Sequence, residues 1–433
     1  MNKKKLYFTF EKIYLSWGCG YMKKLLLFVT LLSFFISSFA VTITMTAGAV
    51  GKELELTNIQ IQRFMEENPD INVQILPMPN SSTARHDLYV TYLASGTPDP
   101  VVLMLDVVWP AEFAPFLVDL KPDYDYFGFD GFLEGTIKSN VVDDKIVAAP
   151  WFTDAGFMYY RKDLLEKYGY DAPNTWNELY NIAKDISENE FIDGFVWQGA
   201  KYEGLTCDVM EFVHSFGGEI IDNGKVVVDN AENYDKTVAA LKFMKKLIDD
   251  GVTPKGVTTY MEEESRRQFQ NGNAVFMRNW PYAWPLANAS DSPVKGKVGI
   301  VPVPMGDNGR HSATLGGWNL GINKNSSKAQ IDAAKKLVKY LTAYDQQVER
   351  ATYAGQNPTM KSAYSDAKIK EEAPFVVDLY DVFISAEPRP VTAVYSEVSD
   401  AIQRYTYGVL TGQYKAEDAV TRMAKELKQI VGN

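Results

Sequence analysis

Five apolar residues in succession, Val101-Val102-Leu103-Met104-Leu105, end abruptly at Asp106. A run this short and this uniformly apolar belongs to a strand buried on both faces, as in a parallel sheet covered by helices. The preceding chain has the matching rhythm. Residues 41–45 and 71–75 alternate apolar and polar side chains as strands do. Between them, 54–67 reads as a helix with Ile61 and Phe64 on one face, stopped by Asn68-Pro69. Residues 87–93 form a second helical segment, ended by Ser95-Gly96-Thr97-Pro98. The order strand, helix, strand, helix, strand predicts an α/β fold built on open, mostly parallel sheets. It also gives Asp106 a meaning, because such sheets present ligand groups at the carboxyl ends of their strands.

The same alternation runs on. Strands are expected at 145–150, 157–161, 195–197, 272–276 and 298–303, and Thr314-Leu315-Gly316-Gly317-Trp318 leads into Leu320-Gly321-Ile322. Thr175-Trp176-Asn177-Glu178 is a capping box that starts a helix to about Ser187. Helices follow at 236–250, 266–269, 328–344, 398–407 and 416–430. At 433 residues the chain has room for two or three domains. It contains no low-complexity tether, so its halves should be joined by crossing strands.

The first forty residues read differently. Met22-Lys23-Lys24, the apolar run 25–36 and Ser37-Ser38-Phe39-Ala40 have the basic, apolar and small-residue parts of a secretory signal peptide. Residues 1–21 fit nothing in that pattern and are read as a mis-assigned upstream extension, with 22–40 as the signal peptide. Six Lys and one Glu lie in residues 1–40, so without them the net charge moves from −11 to −16. An acidic exported chain is a poor partner for nucleic acid. Past residue 40 only Cys207 remains, which excludes an internal disulfide and points to a bacterial or archaeal envelope rather than a stapled secreted domain.

Several chemistries can be set aside. His86, His214 and His311 match no metal-ligand spacing. There is no nucleophile elbow, P-loop or dinucleotide fingerprint. No cofactor is expected. What stands out is Arg278-Asn279-Trp280-Pro281-Tyr282-Ala283-Trp284, three aromatics within five residues stiffened by a proline. Rings on a rigid turn suit the C–H face of a pyranose, with hydrogen-bonding groups around its edge. The alternative is a loop whose rings plug a core. Glu53, Asp106 and Asp154 are carboxylates at loop starts. They suit either acceptors for sugar hydroxyls or the acid and base of a glycoside hydrolase. Arg389, between Pro388 and Pro390, presents a fixed donor fork.

Longer motifs carry a family resemblance. The run from Tyr159 to Gly169, with Pro173 and Thr175-Trp176-Asn177-Glu178, resembles family-1 extracellular solute-binding proteins. These are the sugar-capturing components of ABC importers, of the maltose-binding-protein class. Residues 194–199, 202–205, 278–284, 292–298 and 314–318 are similar to the trehalose/maltose-binding branch. The resemblance covers residues 41–433. It implies a two-lobed, type II periplasmic binding fold, with one lobe from 41–150 plus about 299–355 and the other from 151–298 plus about 356–433. Chain crossings are expected near Pro150, at 298–303 and at 355–358. By motif match, Glu53, Arg85, Asp106, Asp154, Trp280, Tyr282, Gly317, Trp318 and Arg389 line the sugar pocket. Phe152 stands where the branch carries a tyrosine, so only a stacking face remains there. The resemblance further implies a monomeric, non-enzymatic receptor in the periplasm or cell envelope. It would take an α-glucose disaccharide, trehalose or maltose, with glucose and sucrose as further candidates, and deliver it to permease subunits. An exported glycoside hydrolase is the rival reading.

Overall fold

The computed structural model describes residues 40–306 and 309–432. The expected extension and signal peptide lie outside the described residues, apart from Ala40. The long strands are β1 (Val41–Ala47), β2 (Ile71–Pro77), β3 (Val102–Asp106), β4 (Ala149–Ala155), β5 (Phe157–Arg161), β6 (Asp193–Val196), β7 (Ala274–Asn279), β8 (Val298–Pro302) and β9 (Leu315–Ile322). They form two sheets. One has the order β2-β1-β3-β9-β4, the other β8-β5-β7-β6.

The first three strands follow the sequence reading, β1 running parallel to β2 and β3. β9 then pairs antiparallel with both β3 and β4, a departure from the mostly parallel expectation. The helices α1 (Glu53–Glu67) and α2 (Ser82–Ala94) connect its parallel strands. Ile43, Met45, Phe64, Val102, Met104, Trp151, Leu320 and Leu337 share its core.

The second sheet departs from the mostly parallel expectation. β5 is antiparallel to both β7 and β8, and only β6 and β7 run parallel. β4 passes into β5, and so from the first sheet to the second, through the single residue Gly156. The expected crossing near Pro150 therefore falls inside β4, and the chain changes sheet at Gly156. Likewise 298–302 pairs in the second sheet, and the return lies between β8 and β9. A Cβ at Gly156 would meet Glu211 Oε1 at 1.8 Å and an Arg278 nitrogen at 2.5 Å, so glycine is what lets the chain pass here.

The second lobe is covered by α3 (Trp176–Glu190), α4 (Glu203–Ser215), α5 (Ala231–Asp249) and α6 (Glu262–Gln270). Thr175 caps α3 with the expected reciprocal box. After α7 (Lys328–Leu341), which packs on the first sheet, the chain returns as α8 (Tyr395–Leu410) and α9 (Ala416–Val431). Ile402, Val420 and Leu427 of these last helices enter the same core as Trp176, Phe195, Val209 and Leu241.

Helix α4 is absent from the sequence reading. All thirteen of its residues are buried. Its charged residues Glu203, Asp208 and Glu211 are buried with the rest, so it has no solvent-facing side of the kind by which surface helices are found.

Candidate functional site

Three neighbouring strands of the first sheet bring the site's first side chains into register. Trp318 of β9 pairs with Asp106 of β3 on one side and Phe152 of β4 on the other. Gly316 stands opposite Asp154, two residues beyond Phe152 on the same face of the strand. The β9–β4 register shifts between Trp318 and Asn319, an irregularity of the kind that re-aims a side chain. Gly317 has φ +126°, and a Cβ there would lie 2.7 Å from the Phe152 carbonyl oxygen. Only glycine fits both the conformation and the space.

Glu53 opens α1, where the helix dipole favours a carboxylate. From the second lobe, β7 ends at Asn279 and delivers Trp280 and Tyr282. Tyr159 donates a hydrogen bond to the Trp280 carbonyl at 2.8 Å, and Asn279 Oδ1 accepts from the Trp280 N–H at 2.8 Å. A Cβ on Gly316 would meet the Trp280 ring at 2.9 Å, so that glycine lets the second lobe's ring reach the first lobe's strand.

All ten residues singled out in the sequence, Glu53, Arg85, Asp106, Phe152, Asp154, Trp280, Tyr282, Gly317, Trp318 and Arg389, border one cleft between the lobes. The space between its walls amounts to about 710 Å³, open solvent included. Each tryptophan has an arginine on one face. The Arg85 guanidinium lies 4.3 Å from the Trp318 ring centre, and that of Arg278 4.0 Å from Trp280. Cation–π contacts of this kind hold a ring in place. Tyr282 is not only an apolar face: its hydroxyl donates to Glu263 at 3.0 Å.

The charged groups are unevenly satisfied. Arg389 donates to Asp106 Oδ1 at 2.6 Å and to Glu203 Oε1 at 2.6 Å, leaving its buried Nε without a partner. Arg85 donates to the Pro79 carbonyl at 3.1 Å, and its Nε is likewise unpartnered. Glu53 Oε1 is buried without a donor. Burial pushes the Glu53 carboxyl up against the opposing pull of Arg85 and Arg350. Asp154 is pushed up to about 8 by burial, with Glu53 and Asp106 adding to the rise and Arg278 opposing it.

Arg278 is occupied elsewhere. It pairs with Glu211 at 2.8 Å and with Asp208 at 2.9 Å, and donates to Gln198 at 3.0 Å. Burial works against its charge, but Glu211 and Asp208 outweigh burial and raise its pKa.

Sequence reasoning missed Glu203, Cys207, Glu262 and Gln356, which also line the cleft. Glu203 lies in one of the motifs quoted above. Glu262 begins an acidic run, Glu262-Glu263-Glu264, that reads as a solvated face. Among the described residues, no group of three or more His, Cys, Asp or Glu is placed to hold a metal.

The family profile described as "Bacterial extracellular solute-binding protein" matches residues 51–348. The chain belongs to this family. Among this solute-binding protein's relatives is a Deinococcus radiodurans protein named "Probable ABC transporter-binding protein". The two are 40% identical over 405 residues, covering 91% of this chain and 94% of the relative. Maltose-bound MalE3 of T. maritima is similar at 62% identity with a TM-score of 0.88, covering 90% of this chain and 100% of that one. A Thermotoga lettingae ABC transporter solute-binding protein, bound with alpha-D-tagatose, is similar at 25% identity with a TM-score of 0.81, covering 91% and 100%. The fold is the two-lobed type II arrangement of these receptors, and the protein is a solute-binding receptor of an ABC sugar importer.

Proposed function

We propose that this receptor captures an α-linked glucose disaccharide, maltose or trehalose, in the cleft and hands it to membrane permease subunits. The observation that carries the reading is the cleft wall itself: aromatic rings from both lobes, Trp318 and Phe152 facing Trp280 and Tyr282, interleaved with carboxylates and arginine donors. Rings take the C–H faces of glucose units while charged groups bond the hydroxyls around them, strongly because the site is shielded from water. Glu53, Arg85 and Arg389 line the cleft and are the charged groups for those hydroxyls. The likeness to a maltose-bound receptor at 62% identity supports the choice of sugar.

In this reading the protein acts as a monomer in the periplasm or envelope. Gly156, the stretch between β8 and β9, and 355–358 are the hinge. Lobe closure turns binding into a shape the permease recognises. No bond is made or broken. Calorimetric titration against maltose, trehalose, sucrose, glucose and non-glucose disaccharides tests the assignment, with maltose or trehalose expected to bind tightest. Binding only a pentose or galactose oligosaccharide would overturn it. The glycoside hydrolase reading finds its one support in Asp154, whose raised pKa suits a general acid. It requires steady release of glucose from maltose or trehalose over many turnovers, whereas the receptor reading requires none.

A further inference from the structure

Glu203 is the first residue of α4, and no side chain within the helix's own N-terminal turn caps it. Its N–H is one of those a helix leaves open. It donates to Thr83 Oγ1 of α2 at 3.0 Å. The acceptor belongs to the first lobe and the donor to the second. The Glu203 carboxylate is equally committed. One oxygen accepts from Arg389 Nη1 at 2.6 Å and from the Tyr395 hydroxyl, the other from Ser399 Oγ at 2.6 Å. Tyr395 and Ser399 stand on α8, in the second lobe. From there Arg389 reaches across to Asp106 at the end of β3, with Nη2 2.6 Å from Oδ1.

Two connections therefore span the cleft from one residue: Glu203 N–H to Thr83, and Glu203 carboxylate through Arg389 to Asp106. Arg389 is 3% exposed and Glu203 5%, so the path through Arg389 is shielded from solvent, while the Thr83 contact is part-buried. Prolines on both sides hold the Arg389 backbone, which leaves its fork to be aimed by what it touches. Every partner is a protein group.

We propose that Glu203 is a positioning residue of the binding site, which aims Arg389 at Asp106 and clasps the two lobes, so that part of closure is made by protein contacts alone. The ligand's identity rests on the sugar-receptor reading, but the clasp does not. Contacts that form only on closure act on the rate of opening, so Glu203 governs how long the closed complex lasts more than how fast sugar arrives.

The test uses the full folded chain, Glu203→Gln and Thr83→Val. Small-angle scattering without sugar reads closure directly, and stopped-flow tryptophan fluorescence with maltose and trehalose reads the two rates. Glu203→Gln keeps the side-chain volume and removes the charge. It is expected to be more open without sugar and to release sugar about tenfold faster or more, the scale of one charge-assisted hydrogen bond, with association within about twofold. Thr83→Val deletes only the cross-lobe acceptor and is expected to shift both readouts the same way by less. An unchanged scattering curve and unchanged dissociation in Glu203→Gln would overturn the proposal, as would slower dissociation. Should Glu203→Gln fail to fold, Thr83→Val decides: a sugar-free protein as closed as wild type sinks the clasp. If neither sugar binds the wild type, the choice of ligand is wrong, and the sugar-free scattering comparison still decides the clasp.

Discussion

Closing the cleft carries a proton with it. Asp154 lies 9% exposed in the closed cleft, has no protein hydrogen-bond donor among the described residues, and is pushed from near 3.8 to about 8 by burial and the neighbouring Glu53 and Asp106. In an open cleft its carboxyl would be hydrated and titrate in the ordinary range. The closed, sugar-free state thus binds a proton that the open state does not. Closure is unpenalised below the ordinary carboxyl pKa and becomes harder as pH rises towards about 8, levelling off above it. Each pH unit in that window costs about 1.4 kcal/mol. At pH 7 the ceiling is roughly 4 kcal/mol, and the cross-lobe contacts of Glu203 and Arg389 offset part of it. Sugar hydroxyls that donate to Asp154 remove the penalty, which couples closure to ligand. Small-angle scattering of the sugar-free protein from pH 5 to 9 should therefore show the closed fraction falling as pH rises. Saturating sugar should flatten the curve. Asp154→Asn should lower the slope by one proton without abolishing it, because burial also pushes Glu53, Glu203 and Glu262 up. A closed fraction independent of pH, or a slope unaltered by Asp154→Asn, would mean that Asp154 takes up no proton on closure.

Trp280→Ala should weaken maltose or trehalose binding by about 2 kcal/mol or more, roughly thirtyfold, with little change in melting temperature; a large loss of stability with native affinity would return the segment to the core-plug reading. Arg278→Met should cost about 3–5 kcal/mol of folding stability in denaturant titration, because it strands the buried Asp208 and Glu211 without their cation. Gly317→Ala should lose about 1–3 kcal/mol of stability to backbone strain alone, and sugar affinity with it, since β9 must move off the Phe152 carbonyl; wild-type affinity and melting temperature in that variant would show that β9 relaxes freely.

Features set by local physics could be read from residue order alone. The apolar run ending at Asp106, the alternation in β1 and β2, and the capping box at Thr175 depend on neighbours a few residues away, so the first three strands and α3 were legible. The ten cleft residues were legible too, through rings, carboxylates and a proline-held arginine together with a family resemblance. Tertiary structure decided the rest. Helix α4 was hidden because its charged residues are buried against partners distant in sequence, and with it went Glu203 and Cys207. The passage between the sheets at Gly156 needs a residue without a Cβ, because a Cβ would strike Glu211 and Arg278, residues that local pattern does not connect to it. Asp106 and Arg389 are separated by 283 positions, and no spacing rule pairs them. Whether a carboxylate is paired, as Asp106 is, or left to titrate alone, as Asp154 is, depends on which charges the fold brings within a few ångströms after water has been excluded.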